Sequence, residues 1–277
     1  MTDRLKFLLI VDDDAIARFA YDAGVDTLFV DLEQHGKAER QPDAASWKSR
    51  QGPEDVSRIR AAAPEAELLV RVNPLHDGSA SEVEDALARG ADCLMLPMFT
   101  TADEVARFQD LVAGRATVVP LFETAAALRE IGAILRRGAP DRAHIGLNDL
   151  HLDLGMRFMF EPLAAGLLEE PCAQLREAGV EFGIGGVARI GEGILDPGVL
   201  LGEHVRLGST WAILSRSFHR QATTLEEMTA STDVPAELAA LRGTYAEFAS
   251  RSPTQLEENR TRVADRIRDV ARLIGVR

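Results

Sequence analysis

Eight short apolar runs punctuate the first 214 residues, and helical stretches separate most of them. Thr27-Leu28-Phe29-Val30, Leu68-Leu69-Val70 and Cys93-Leu94-Met95-Leu96 lack the polar alternation of a half-solvated strand. Continuous apolar runs of this length fit strands covered on both faces, as in a parallel sheet. The pattern predicts strands over residues 6–11, 27–30, 67–72, 93–97, 116–122, 143–146, 181–185 and 210–214. Helices are expected over 14–23, 53–63, 81–89, 101–113, 125–137, 162–178 and 199–205. Gly24 stops the first helix, and Thr101 with Glu104 forms a capping-box pattern. Right-handed crossovers between parallel strands lead to a barrel or a doubly wound sheet. Eight strands, no break in composition and 277 residues, against about 250 for a typical barrel, favour an α/β (β/α)8 TIM barrel. The expected division is a barrel over 1–222 and a helical extension over 223–277, packed on the barrel or on a neighbouring subunit. The last helix is marked by Ser252, Pro253 and Gln255, with Leu256, Val263, Ile267, Val270 and Ile274 on one stripe.

A net charge of −13 argues against nucleic-acid or anionic-membrane partners. Leu8-Leu9-Ile10-Val11 is too short for a signal peptide or a membrane span. Cys93 and Cys172 are isolated, without disulfide or metal spacing, so a cytoplasmic setting is expected.

Barrel enzymes place their chemistry at the C-terminal ends of the strands. The polar residues there are Asp31, Glu33 and His35; Arg71 and Asn73; Glu123; and Asn148 and Asp149. Pro97 and Gly185-Gly186 also fall at strand ends. Glu123 and Asp149 lie 26 residues apart, about one strand–helix unit. Neighbouring strands are about 4.8 Å apart, and two carboxylates at about 4 Å repel by roughly 4 kcal/mol at an effective dielectric near 20. A proton, an arginine or a metal must offset this. Oxygen ligands favour Mg²⁺ or Mn²⁺, with Co²⁺ usable. The plainer alternative is that Glu123 serves a helix N-terminus and Asp149 caps a turn. Arg71 suits a substrate carboxylate or oxyanion, or a structural ion pair with Glu33. His35 is a general-base candidate or an exposed loop histidine. Gly183-Ile184-Gly185-Gly186 offers amides to an anion or makes a tight turn. Residues 34–52 form a long irregular loop of the kind that is often functional; Lys37 and Arg40 within it either reach a distal anionic group or are solvated.

Taken in order, several motifs form a set: Val70-Arg71-Val72-Asn73-Pro74, Gly90-Ala91-Asp92 through Leu96-Pro97-Met98, Leu121-Phe122-Glu123-Thr124-Ala125, and Gly146-Leu147-Asn148-Asp149-Leu150 with Asp153-Leu154-Gly155. The set resembles the HpcH/HpaI aldolase and citrate lyase β-subunit family, a pyruvate/phosphoenolpyruvate-type barrel, from about residue 30 to 186. The resemblance implies a metal-dependent (class II) aldolase that cleaves or forms a 4-hydroxy-2-oxo acid through a metal-bound pyruvate enolate. Glu123 and Asp149 match the metal-binding acids, and Arg71 the arginine that steadies the enolate. Asn148 matches the segment receiving the carboxylate, with Pro97 and Gly185 lining the substrate. Glu33 matches the acid that holds metal-bound water or Arg71, and His35 is the catalytic-base candidate. Partners implied are a small 2-oxo acid, an aldehyde and further copies of the chain, as a trimer or hexamer. An acyl-CoA lyase and a non-catalytic 2-oxo-acid-binding protein remain alternatives.

Two departures stand out. Gln34 separates Glu33 from His35, where aldolases of this family have the histidine next. The first strand runs into Asp12-Asp13-Asp14, where acyl-CoA lyases have an arginine-containing strand followed by proline. No lysine sits at a predicted strand C-terminal end, consistent with chemistry free of a Schiff base. The segment from Gly202 to Gly208 carries no assigned role.

Overall fold

The computed structural model describes residues 4–36, 51–215, 218 and 222–274. Lys37 and Arg40 lie outside the described residues. Eight parallel strands close into a barrel in sequence order. They are β1 (Lys6–Ile10), β2 (Thr27–Asp31), β3 (Glu67–Arg71), β4 (Cys93–Leu96), β5 (Thr117–Phe122), β6 (Arg142–Ile145), β7 (Glu181–Val187) and β8 (Trp211–Leu214). Around them run α1 (Asp14–Asp22), α2 (Pro53–Ala62), α3 (Ser79–Ala88), α4 (Ala102–Val112) and α5 (Ala125–Gly138). After β6 come α6 (Leu147–Asp153), α7 (Glu161–Ala164) and α8 (Glu169–Glu177), and α9 (Pro197–Leu207) precedes β8. Among the described residues no helix is long and apolar enough to cross a membrane.

The side-chain period of two sorts each strand into an inner and an outer face. Leu8, Phe29, Leu69, Cys93, Met95, Val119, Leu121 and Trp211 fill the barrel. The alternate residues pack outward under the helices, in a second and larger core. The lower end of the barrel is closed by charge. Lys6, Thr27, Glu67, Arg142 and Glu181 are the first residues of their strands. Lys6 Nζ meets Glu181 at 2.7 Å, Arg142 meets Glu67 at 2.7 Å and Glu181 at 3.2 Å, and Thr27 Oγ1 donates to Glu67 at 2.7 Å. Two cations thus balance two carboxylates. Burial pushes the Glu67 pKa up, but Arg142, Thr27 and Lys6 outweigh it and hold it below the usual range.

The helix expected over 162–178 is two shorter ones, α7 and α8, broken at Gly166, whose φ of +71° is left-handed. The short α6 lacks a side-chain cap at Gly146, so no start signal announces it. At Thr101 the expected capping box is present: its hydroxyl accepts from the Glu104 amide, and Glu104 accepts from the Thr101 amide.

The extension forms α10 (Leu225–Ser231), α11 (Val234–Ala249) and α12 (Pro253–Ile274). In the single chain, α12 lies against α9 and α7 of its own barrel. Gly202 in α9 is the point of closest approach. A Cβ there would lie 2.4 Å from Asn259 Nδ2 and 2.6 Å from Phe248 Cε1. Asn259 Nδ2 donates to the Val199 carbonyl at 3.0 Å, and Tyr245 Oη to the Ser209 carbonyl at 3.0 Å. The segment from Gly202 to Gly208 therefore docks the terminal helices.

Alanine in place of a helical glycine ordinarily gains about 1 kcal/mol in propensity, whereas overpacking a filled interface costs about 1–3 kcal/mol. Gly202→Ala is therefore expected to lower the urea midpoint. Gly243→Ala in α11, where nothing lies within 4 Å of the added methyl, is expected to raise it.

Candidate active site

The upper mouth is built from the strand ends. Asp31 and Arg71 are register partners on β2 and β3, and both follow inward-facing residues by two, Phe29 and Leu69. Arg71 Nε and Nη2 donate to Asp31 Oδ1 and Oδ2 at 2.9 and 2.8 Å. Nη2 also lies 3.3 Å from Glu33 Oε2. The guanidinium carbon sits 5.7 Å from the Phe29 ring centroid. Burial works against its charge, but Asp31, Glu33 and Glu123 outweigh this and drive the Arg71 pKa up. The Arg71 Nη1 group has no hydrogen bond among the described residues. Sequence reasoning names Glu33 as its ion-pair partner, but Asp31 holds the bidentate place because it stands directly across the ladder. The Asp31 amide donates to Gln51 Oε1 at 2.9 Å, and Gln51 Nε2 donates to the Val11 carbonyl at 2.7 Å. Gln51 is buried. A single amide at the far end of a long loop left no signal in the sequence.

Glu123 follows β5 and is 3% exposed. It does not cap the next helix. Thr124 does so, its hydroxyl accepting from the Ala127 amide at 3.0 Å, while Asp153 accepts from the Ala125 amide at 2.8 Å. Glu123 Oε1 accepts instead from the Met98 amide at 3.1 Å. Met98 follows the buried Pro97 and has φ +55°, a left-handed conformation that is uncommon outside glycine. Across the ladder, a Cβ on Gly146 would come within 3.0 Å of Glu123 Cβ and Oε2. Glycine at this position keeps the carboxylate unobstructed.

Asp149 lies in the first turn of α6, half-buried, and Asn148 beside it is exposed. Burial raises the Glu123 pKa; Arg71 opposes this, and Asp149 and Glu33 add to it, giving about 8. Asp31, Glu33 and Glu123 thus act on the Arg71 guanidinium, and Asp149 acts on Glu123. No group of three potential metal-ligating side chains is present among the described residues. Glu123 and Asp149 are the acids that could hold a cation, as two oxygen donors. Such a pair suits a hard, oxygen-loving cation that keeps most positions for water and substrate oxygens.

Below this layer, His144 Nε2 donates to the Gly185 carbonyl at 3.1 Å, and its ring lies edge-on to Trp211. Burial, then His204, push its pKa down to about 3. His144 is thus a neutral floor of the site, and sequence reasoning overlooked it because it sits inside an apolar strand. A Cβ on Gly183 would lie 2.5 Å from His144 Nδ1, so this glycine has a packing reason. Gly185 has φ +51° and abuts Leu147. His35 is exposed on the turn after β2, where its amide and that of Gln34 both donate to Asn73 Oδ1, at 3.0 and 2.8 Å.

A sequence-family model for HpcH/HpaI aldolase/citrate lyase matches residues 5–161. The chain belongs to the HpcH/HpaI aldolase/citrate lyase family. Solved structures agree on the fold. An HpcH/HpaI aldolase/citrate lyase family protein from Burkholderia cenocepacia J2315 superposes with a TM-score of 0.60 at 20% identity, over 83% of this chain and 96% of that one. An HpcH/HpaI aldolase from Desulfitobacterium hafniense DCB-2 gives 0.57 at 18%, over 85% and 95%. The citrate synthase SbnG gives 0.61 at 14%, over 83% and 94%. No curated protein matches the chain. The matched region carries Arg71, Glu123 and Asp149, while β7, β8 and the terminal helices lie beyond it.

The Glu123 proton is held more tightly in the folded than in the unfolded chain between pH 4.5 and about 8. The metal-free fold should therefore lose stability as pH rises through that interval. Differential scanning calorimetry is expected to show this fall in wild type and its absence in Glu123→Gln. Added Mn²⁺ should raise the wild-type Tm at pH 8 and leave that of the variant unchanged.

Proposed function

We propose that this chain is a divalent-metal-dependent carbon–carbon lyase acting on a 4-hydroxy-2-oxo acid, releasing pyruvate and an aldehyde or joining them in reverse. The observation that carries the reading is the clamped arginine. The Nε–Nη2 edge of the Arg71 fork is held by Asp31, and Nη2 by Glu33 as well, which leaves Nη1, without a hydrogen bond among the described residues, as a permanently charged donor. A donor fixed before the reaction stabilises developing negative charge without reorganisation.

Glu123 and Asp149 are the residues to hold the cation, which when bound supplies Lewis acidity and offsets their repulsion. The chain's own groups account for the rest. Arg71 Nη1 donates to the C2 oxygen of the 2-oxo acid and holds the charge that gathers there when the C3–C4 bond breaks. His35 accepts the proton of the C4 hydroxyl, whose carbon becomes the aldehyde carbon. The electron pair of the broken bond forms the C2–C3 double bond of the enolate. Protonation at C3 then gives pyruvate. On this reading Asn148, exposed at the start of α6, contacts the carboxylate, with Pro97 and Gly185 lining the substrate as the family resemblance implies.

The acidic start of the chain disfavours a CoA ester. Asp13 caps α1 by accepting from the Ile16 amide at 2.9 Å, and Asp12 and Asp14 are exposed just past β1 on the same rim. Asp14 is paired with Arg58, so Asp12 and Asp13 carry the negative field that disfavours the phosphates of a CoA tail.

Exchange of the pyruvate methyl protons in D2O, followed by NMR, tests this reading. Exchange should require Mg²⁺ or Mn²⁺, stop with EDTA and be lost in Glu123→Ala. Binding of pyruvate with no metal-dependent exchange would instead favour a binding protein. Cleavage of acyl-CoA thioesters without aldol activity would favour the CoA lyase. Arg71→Lys should lower kcat more than it raises KM, since the fork acts on the charge that develops during the reaction.

A further inference from the structure

His35 does not stand by itself on its turn. Its ring meets that of His76 edge to face, with centroids 4.7 Å apart. His76 Nε2 lies 3.2 Å from Glu82 Oε2. The other oxygen of the same carboxylate, Glu82 Oε1, accepts from the Asn73 amide at 3.1 Å and from Asn73 Nδ2 at 2.7 Å. Asn73 in turn accepts the Gln34 and His35 amides on its Oδ1. Glu82 sits in the first turn of α3 and its side chain is 17% exposed. One carboxylate therefore reaches His35 by two routes: through Asn73 to its backbone, and through His76 to its ring.

We propose that Glu82 and His76 are positioning residues for His35, fixing the imidazole that exchanges protons with substrate at the mouth. The assignment rests on the lyase reading above and adds to it the means by which His35, displaced one place by Gln34, is held. A short turn carrying an exposed histidine does not by itself fix the rotamer of the ring. Hydrogen bonds to both amides remove the backbone freedom, and the His76 edge contact restricts the ring. Orientation of this kind governs proton-transfer efficiency more than it governs ground-state binding. In the exchange reaction, the methyl C–H bond breaks and its electrons form the C2–C3 double bond. The carbonyl pair moves to the oxygen beside Arg71, and the proton is taken by the His35 ring nitrogen. A deuteron from solvent returns by the same path.

Deuterium exchange into the pyruvate methyl group is measured with saturating Mn²⁺ for wild type, His35→Ala, His76→Ala, Glu82→Ala and the double variant His35→Ala/Glu82→Ala. Circular dichroism and urea midpoints check the folds; alanine is the strongest helix former, so α3 is preserved. Expected are losses of tenfold or more in the saturated rate for each single variant, with KM for pyruvate within twofold. The double variant should be no slower than His35→Ala, because Glu82 acts through His35; merely structural damage would add to the loss. Additive losses, or wild-type rates in Glu82→Ala and His76→Ala, overturn the assignment while leaving the lyase reading in place. Absence of metal-dependent exchange in wild type overturns that reading, and this assignment with it.

Discussion

The rest of the mouth depends on one buried ion pair, Arg71 clamped by Asp31 across the β2–β3 ladder. At the lower end Lys6 and Arg142 neutralise Glu67 and Glu181 within a shared network. At the upper end Arg71 faces Asp31, Glu33 and Glu123, with Asp149 beside Glu123. At Glu123 burial outweighs the Met98 amide and the Arg71 charge and raises the pKa to about 8. The proposed cation would take the place of the proton on Glu123. Stability is concentrated below and chemistry above, as the barrel architecture allows.

Several local features serve that upper end. Met98 adopts a left-handed backbone and aims its amide at Glu123. Gly146 has no side chain where a methyl would press on the same carboxylate. Gln51 ties the end of β1 to the end of β2 and so fixes Asp31. Asp31 then fixes Arg71. The result is a chain of constraints from loop to strand to guanidinium, ending at Arg71 Nη1, which has no hydrogen bond among the described residues. Non-glycine residues with positive φ cost of order 1–3 kcal/mol and persist where the surroundings enforce them; Met98 stands at the acid that most needs a donor.

The fold was legible because buried parallel strands write themselves as unbroken apolar runs, and the barrel count followed from eight of them. The exceptions are physical. The helix expected after β6 broke at Gly166, and α6 went unseen for want of a capping side chain. In the site, Arg71 and Glu123 were visible as charges ending apolar strands. The role of Asp31 was not, because a ladder partner is a matter of register, which one strand alone does not reveal. His144 was hidden inside a strand. His76 and Glu82 act through contacts between separate loops and helices, so linear spacing carries no trace of them. The ordered motif resemblance supplied the link between Glu123 and Asp149 that spacing alone left open.

The central claim is that the acidic mouth holds one divalent cation on Glu123 and Asp149, with Arg71 directed at the substrate. An anomalous difference map from crystals grown with Mn²⁺ and pyruvate measures this directly. The account predicts a single peak bonded to both carboxylates, with Arg71 Nη1 within hydrogen-bond distance of the pyruvate C2 oxygen. A metal bound elsewhere, or pyruvate seated with Glu123 and Arg71 untouched, would contradict it.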